Sequence, residues 1–264
     1  MEITTKKNLI KHFKSDLKLK NNSIVWLHVG ISGFGILENG LKTLYDAINE
    51  YFSKGIVIIP SFTYSWNEKK TFNKKTLCNE KLLGPFPNYL IQEKKILRSN
   101  NPNFSVIIIN NSKKKNFIKN LISPQNKSCF GKNSIFDLLY RNSKKNKSYI
   151  LLLGGAHNDV EFRTTFIHYV EEKIGVPYRF IKKIYSPDKK RFLFQYCRYK
   201  NKNSKNDLIF PDNIKYKRLG KILNKDKNYI KKIFKYSSSR MISINYFSDF
   251  LYNKINKNKN FLLK

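Results

Sequence analysis

The chain has 264 residues, enough for one large domain or two small ones with a substantial core. Its 41% hydrophobic and 14% aromatic content excludes a disordered or fibrous chain. Lys and Arg total 52 against 18 Asp and Glu, a formal charge of +34 that ordinarily points to nucleic acid or an anionic surface. However, 44 of these cations are Lys and only 8 are Arg, alongside 32 Asn and 30 Ile, residues with A/T-rich codons. Nucleic-acid readers favour the planar, bidentate guanidinium, which is scarce here. Much of the charge therefore reads as codon bias on a solvated surface, and no specific nucleic-acid partner is expected.

Cys78, Cys129 and Cys197 lie far apart, with no paired spacing for a disulfide framework or a zinc site. No metal is expected. The first twenty residues lack an apolar stretch of signal-peptide length, and no run of 18 apolar residues occurs anywhere. These features point to a cytoplasmic protein without a transmembrane segment.

In chain order, Leu9, Ile10, Phe13 and Leu17 give Thr5 to Leu19 a helical period. Ser23 to His28 reads as a buried strand that breaks into the Gly-rich run Val29 to Gly35. Gly40 to Phe52 carries Leu41, Leu44, Tyr45, Ile48 and Phe52 on one helical face, and Ile56 to Ile59 is the next strand. Strand, Gly-rich loop, helix and strand make a βαβ unit with a parallel pair. Further strands are expected at Phe104 to Asn110 and Tyr149 to Leu153. Helices are expected at Leu83 to Lys95, Lys114 to Ile122, Ser134 to Tyr140 and Thr164 to Ile174. A hairpin near Arg191 to Tyr199 and a lysine-rich loop around Lys200 to Asn206 precede two helical stretches, Tyr216 to Phe234 and Ser243 to Ile255. No internal repeat or linker divides the chain. The reading is a single α/β domain over residues 1–264, with a mostly parallel or mixed central sheet flanked by helices.

Four histidines limit the search for a general base. His12 falls in a basic helix and reads as a surface residue. His28 ends a strand and enters the Gly-rich loop, a place where ligands commonly meet α/β sheets. His168 has Glu171 and Glu172 three and four residues on, so either carboxylate can lie beside its ring. The loop Val29 to Gly35 supplies backbone amides suited to phosphate, although it matches neither GxGxxG nor GxxxxGK[ST]. No serine nucleophile elbow, HExxH or glycosidase-type carboxylate pair is present.

An ordered set of motifs resembles the aminoglycoside 3-N-acetyltransferase family. VWLHVGISGFGILENGLKTL resembles that family's opening strand and Ser/Gly loop. IIPSFTYSW resembles its second strand, with Ser61 in place of a Thr. ILRSNNPNFSV is similar to its Arg-Ser-x-His-Pro-x-x-Ser segment, CFGKNSIFDLL to its Phe-Gly-x-x-Ser stretch, and TTFIHYVEEKIGVPYR to the segment with the catalytic His. RMISINYFSDFLYNKINKNKNFLL is similar to its C-terminal helices. The likeness runs from about Leu17 to the end of the chain.

This resemblance implies acetyl transfer from acetyl-CoA to a sugar amine in a ternary complex, with no covalent enzyme intermediate. It implies that His168 is the general base, that Glu171 orients it, and that Thr165 lies beside the thioester as an oxyanion donor. His28, Gly30, Ser32 and Gly33 fall on the coenzyme loop, Ser99 and Ser105 on the segment lining the coenzyme channel, and Tyr64 beside the acceptor. Asn101 replaces the family's His, Asn88 replaces a frequent Glu, and the loop Ala156 to Arg163 is longer than usual. That loop carries His157, a competitor for the base role, and Asp159, a candidate acceptor contact. Aminoglycosides are polycations, whereas the average field of this chain attracts anions. The preferred acceptor is therefore an amino sugar of surface-polysaccharide synthesis. An aminoglycoside antibiotic is the alternative, and a basic protein binding nucleic acid or anionic surfaces is a remoter one. Nothing in the sequence assigns an oligomeric state.

Overall fold

The computed structural model describes residues 2–94, 96–110, 115–123, 128–157, 160–198 and 216–263. Its elements in chain order are β1 (Ile3–Thr4), α1 (Lys6–Lys11, continued by a π turn over His12–Asp16), β2 (Ile24–Val29), β3 (Ile36–Leu37), α2 (Leu41–Tyr51) and β4 (Ile56–Pro60). Then come α3 (Glu80–Leu83), α4 (Phe86–Glu93), β5 (Leu97–Arg98), β6 (Val106–Asn110), α5 (Lys115–Ile122), α6 (Ile135–Ser143), β7 (Ser148–Leu153) and α7 (Phe166–Ile174). The chain closes with β8 (Arg179–Tyr185), β9 (Phe192–Arg198), α8 (Tyr216–Leu223), β10 (Ile230–Phe234), β11 (Ser237–Ser243) and α9 (Ile244–Lys257).

Seven strands form one mixed sheet in the order β10-β11-β7-β2-β4-β6-β5. Only its centre is parallel, where β2 pairs with β4 on one side and β7 on the other. The flanking pairs β4–β6, β5–β6, β7–β11 and β10–β11 are antiparallel. The sheet is therefore mixed, within the expectation, and both faces of the central strands are buried, as covered parallel strands require.

Alternation along the central strands feeds two cores. Trp26, Ile58, Ile150 and Leu152 pack with Phe136, Phe166, Phe247 and Leu251 of α6, α7 and α9. Val25, Leu27, Val57, Ile59, Leu151 and Leu153 pack with Leu9, Leu44, Ile48 and Leu90 of α1, α2 and α4.

Several expected elements differ. The expected helix Leu83 to Lys95 divides at Gly84-Pro85, where φ of Gly84 is +73° and the proline cannot continue the preceding turn. Arg191 to Tyr199 holds one strand of a hairpin rather than a whole one, because β9 pairs with the unanticipated β8. Tyr216 to Phe234 is a helix only to Leu223. The Asp226 carboxylate then accepts the Asn228 backbone N–H at 2.8 Å and ends the helical run before β10. The neighbouring β11 was not anticipated, because SSSR reads as polar although these side chains are buried. The lysine-rich loop lies outside the described residues.

Candidate functional site

Three central strands end together. Their carboxyl ends and the following turns enclose a cavity of about 240 Å³ lined by His28, Gly30, Ser32, Pro60, Gly155 and His157, among others. This is where open α/β sheets present ligands, beyond the carboxyl ends of parallel strands. Gly30 and Gly33 are needed here for close packing. A Cβ on Gly30 would lie 2.6 Å from the Gly154 carbonyl oxygen, and one on Gly33 would lie 2.0 Å from Ser237 Oγ. Gly33 is buried and lines neither this cavity nor the larger one described below.

The Trp26 indole donates to His28 Nε2 at 2.9 Å. Indole is only a donor, so neutral His28 carries its proton on Nδ1. Its ring lies 5.3 Å from that of His157. Burial holds His28 well below the usual histidine range, and His157 lowers it further. Burial, then Arg163 and Arg240, bring His157 down to about 4. His157 has a positive φ of 62°, and its Nε2 is buried without a hydrogen-bond partner. From β11, fully buried Arg240 donates to the Ala156 carbonyl and, at 2.7 Å, to that of Glu161, pinning this loop.

A second cavity of about 870 Å³ lies between the β5–β6 edge, α6 and the β8–β9 hairpin. Trp66, Phe72 and Phe104 supply aromatic faces, Lys74, Lys190 and Arg191 supply charge, and no carboxylate is among its described lining residues. Ser99 lines it, although its hydroxyl accepts the Val106 N–H at 3.0 Å. Ser105 lines neither cavity. It is fully buried, and its hydroxyl bonds the Ser61 carbonyl and accepts from Arg98. Tyr64 also lines neither. It is held at a φ of 53° against Phe62 and Phe104, and burial raises its hydroxyl pKa.

His168 sits behind the wall of this second cavity. Its ring lies 5.4 Å from Phe130, which packs against the lining residues Phe104 and Phe136. His168 itself lines neither of these two cavities. The surroundings also differ from the expected His–carboxylate pair. Arg179, from β8, donates from Nη1 to His168 Nδ1 at 2.8 Å and to Glu171 Oε2. The direct Glu171 to His168 distance is 3.5 Å. A guanidinium has no acceptor, so Nδ1 must accept and neutral His168 carries its proton on Nε2. Arg179 thus reaches both of the groups that the resemblance pairs directly.

Buried Glu171 also accepts Tyr178 Oη at 2.9 Å, while Arg179 donates to the Tyr196 carbonyl at 2.9 Å. Thr165 stands at the α7 N-terminus without capping through its hydroxyl. Its neighbour Thr164, which the sequence reading passed over, has a buried hydroxyl without a partner. Asp159 lies outside the described residues. Among the described acidic residues nearby, Glu161 pairs with Arg163 at 2.5 Å, and Glu172 accepts Ser128 while burial raises its pKa.

His12 is the clearest correction. It is fully buried rather than exposed, with Nδ1 at 2.8 Å from Asp16, Nε2 at 2.9 Å from Ser239 and its ring against Phe234. The lysines of this helix are exposed, and His12 lies on its other side against β10 and β11, two strands absent from the sequence reading.

Comparison with known proteins identifies the family and the fold. The sequence model described as aminoglycoside 3-N-acetyltransferase matches residues 26–255. A search of curated proteins finds no match. Among solved structures, a variant of aminoglycoside acetyltransferase AAC(3)-IVa in complex with a gentamicin superposes with a TM-score of 0.74. It is 15% identical, over 100% of this chain and 93% of that one. AAC-IIIb as a binary complex with CoASH gives 0.72 at 16% identity, over 97% of both chains. YokD from Bacillus subtilis gives 0.71 at 18% identity, over 98% of this chain and 96% of that one. At such identities these structures establish a shared fold.

Proposed function

Because the chain belongs to the aminoglycoside 3-N-acetyltransferase family, we propose that it transfers the acetyl group of acetyl-CoA to an amine of an aminoglycoside. Solved structures with this fold include one bound to CoASH and others bound to gentamicin and sisomicin. The expected polysaccharide sugar finds no such support.

The observation that carries the reading is a basic, aromatic cavity one ring away from His168. Its size is that of a ligand site, and its lysines, arginine and aromatic faces suit the phosphates and base of a coenzyme. The His28 loop and the smaller cavity are assigned to the same coenzyme, where loop amides and the neutral imidazoles can bond its polar chain. In acyl transfer the amine attacks the thioester carbon and charge develops on the carbonyl oxygen. Donors aimed there are typically worth about 3 kcal/mol each. We assign His168 to that reacting centre, with Thr165 beside it.

The test is thiol release from acetyl-CoA in the presence of a panel of acceptors. A higher kcat/KM for 2-deoxystreptamine aminoglycosides than for nucleotide-linked amino sugars is expected. The reverse order would restore the biosynthetic acceptor, and no thiol release with any amine would refute the enzyme. His168→Ala should lower turnover about 10²–10⁴-fold, while coenzyme binding measured by calorimetry changes little.

A further inference from the structure

We propose that Lys74, Lys190 and Arg191 form a binding site for a phosphate monoester at the solvent end of the larger cavity, with Arg191 held in place by Trp66. This deepens the coenzyme assignment above and rests on it only for which molecule carries the phosphate. The three cations line one cavity and are exposed, so they stand where it opens to solvent. Among the described residues none of their side chains is in an ion pair, whereas Arg141, Arg163 and Arg179 each meet a carboxylate. The acidic residue of the same turn, Asp188, accepts Ser186 Oγ and, at 3.2 Å, the Lys190 N–H. Its field reaches Lys190 and Arg191, but it is fully exposed and pairs with neither side chain.

The cations are carried on fixed backbone. The β8–β9 turn closes on itself, with the Ser186 N–H donating to the Arg191 carbonyl at 2.8 Å and the Arg191 N–H to Ser186 Oγ at 3.0 Å. The Arg191 guanidinium lies over the Trp66 ring at 5.6 Å, a cation–π contact that holds the group and leaves its N–H fork unspent. Trp66 is fixed in turn, since its N–H donates to Asn103 Oδ1 at 3.1 Å and Asn103 Nδ2 donates to Gln195 Oε1 of β9 at 2.6 Å. The Lys74 carbonyl accepts buried Arg98 Nη1 at 3.0 Å. A phosphate monoester carries about 1.5–2 negative charges at neutral pH and three terminal oxygens, which match one arginine fork and two ammonium groups. A carboxylate, with one charge and two oxygens, leaves part of this set unmatched. Two molecules offer the required chemistry, coenzyme A through its 3′-phosphate and a phosphorylated amino sugar.

Calorimetry at about 0.15 M salt tests the site with two pairs of probes. Coenzyme A is compared with 3′-dephospho-coenzyme A, and glucosamine 6-phosphate with glucosamine. Wild-type protein should bind coenzyme A at least about tenfold more tightly than its dephospho form. Arg191→Gln should cut that preference to about threefold or less, and the triple variant with Lys74→Gln and Lys190→Gln should abolish it. Lys145→Gln removes one positive charge outside the cavity and should leave the preference unchanged. Equal binding of the two coenzymes, with a tenfold preference for the sugar phosphate that Arg191→Gln removes, supports the same site with the second molecule as its source. No phosphate-dependent preference in either pair, or one that survives in a triple variant with unchanged circular dichroism, overturns the proposal.

Fluorescence locates the bound ligand. The chain has two tryptophans, of which Trp26 is fully buried in the core and Trp66 lines the cavity. A phosphate that draws the guanidinium off the indole should change the emission, and Trp66→Phe should remove that change. Every readout here is binding. Absence of thiol release would therefore refute the acetyltransferase reading and leave the site standing. If coenzyme A fails to bind, the coenzyme assignment falls, and the amino-sugar pair still decides the site.

Discussion

Arginine is rare in this chain, and where it sits is informative. Of 8 arginines, Arg98, Arg179 and Arg240 are 1%, 8% and 1% exposed. Each meets backbone carbonyls in fixed fork geometry, with Arg98 reaching the carbonyls of Ser61, Lys74 and Thr76. A lysine cannot reproduce that planar set of donors. Burial also lowers Arg98 to about 10. Arg98→Lys should therefore destabilise the fold by about 2–4 kcal/mol in urea unfolding, whereas replacing an exposed lysine such as Lys145 should change it by less than about 0.5 kcal/mol. The buried histidines give a second test. Burial depresses His12, His28 and His157, so the unfolded chain takes up protons near pH 6.5 that the folded protein refuses. Their contribution is present above that pH and is lost as pH falls, for His157 down to about 4. Between pH 6.5 and 5, His157 alone should account for about 1.5–2 kcal/mol. His157→Gln should flatten the pH dependence of the urea midpoint by that amount.

At the scale of elements, the site is made by interlocking turns. The β2 and β7 turns touch through Gly30, Gly33 and Gly154, and β11 inserts Ser237 against the same point. Gly33→Ala would push a methyl group into Ser237 and the Gly154 carbonyl, which lies 2.3 Å from the added carbon. A loss of about 1–3 kcal/mol is expected for such overpacking. Because these turns line the smaller cavity, calorimetry should also show weaker acetyl-CoA binding, whereas a change in stability alone would detach the loop from the coenzyme. The elements behind this arrangement were legible in the sequence, since β2 and β4 are short, almost wholly apolar runs and α2 repeats its apolar residues at a helical period. β11 was not, since its polar side chains are satisfied only by partners distant in sequence, as Ser239 is by His12, 227 residues away.

For the whole molecule, the formal charge of +34 sets a field that favours anions and opposes polycations. The described carboxylates near α7 do little to reverse it, because Glu161 and Glu171 are already paired with arginines. Salt screens such fields beyond about 8–10 Å. Raising ionic strength from about 0.05 to 0.3 M should therefore raise KM for acetyl-CoA about 3–10-fold and lower KM for a cationic aminoglycoside. Parallel changes for both substrates would show that local contacts, not the global field, set their affinities.

The sequence by itself determined the family, the parallel centre of the sheet and the position of His168 at the start of α7. These follow from local periodicity and from motifs whose residues lie close together in the chain. Tertiary structure decided the proton state and the surroundings of that histidine. Glu171 lies three residues from His168 and was visible as a partner, but Arg179 lies eleven away on another element and reaches the ring only because β8 pairs with β9. The same holds for His12, whose exposure was misread until β10 and β11 covered it. Spacing along a helix shows which side chains can meet within that helix. Which donor reaches a ring nitrogen first depends on strands that pack from elsewhere.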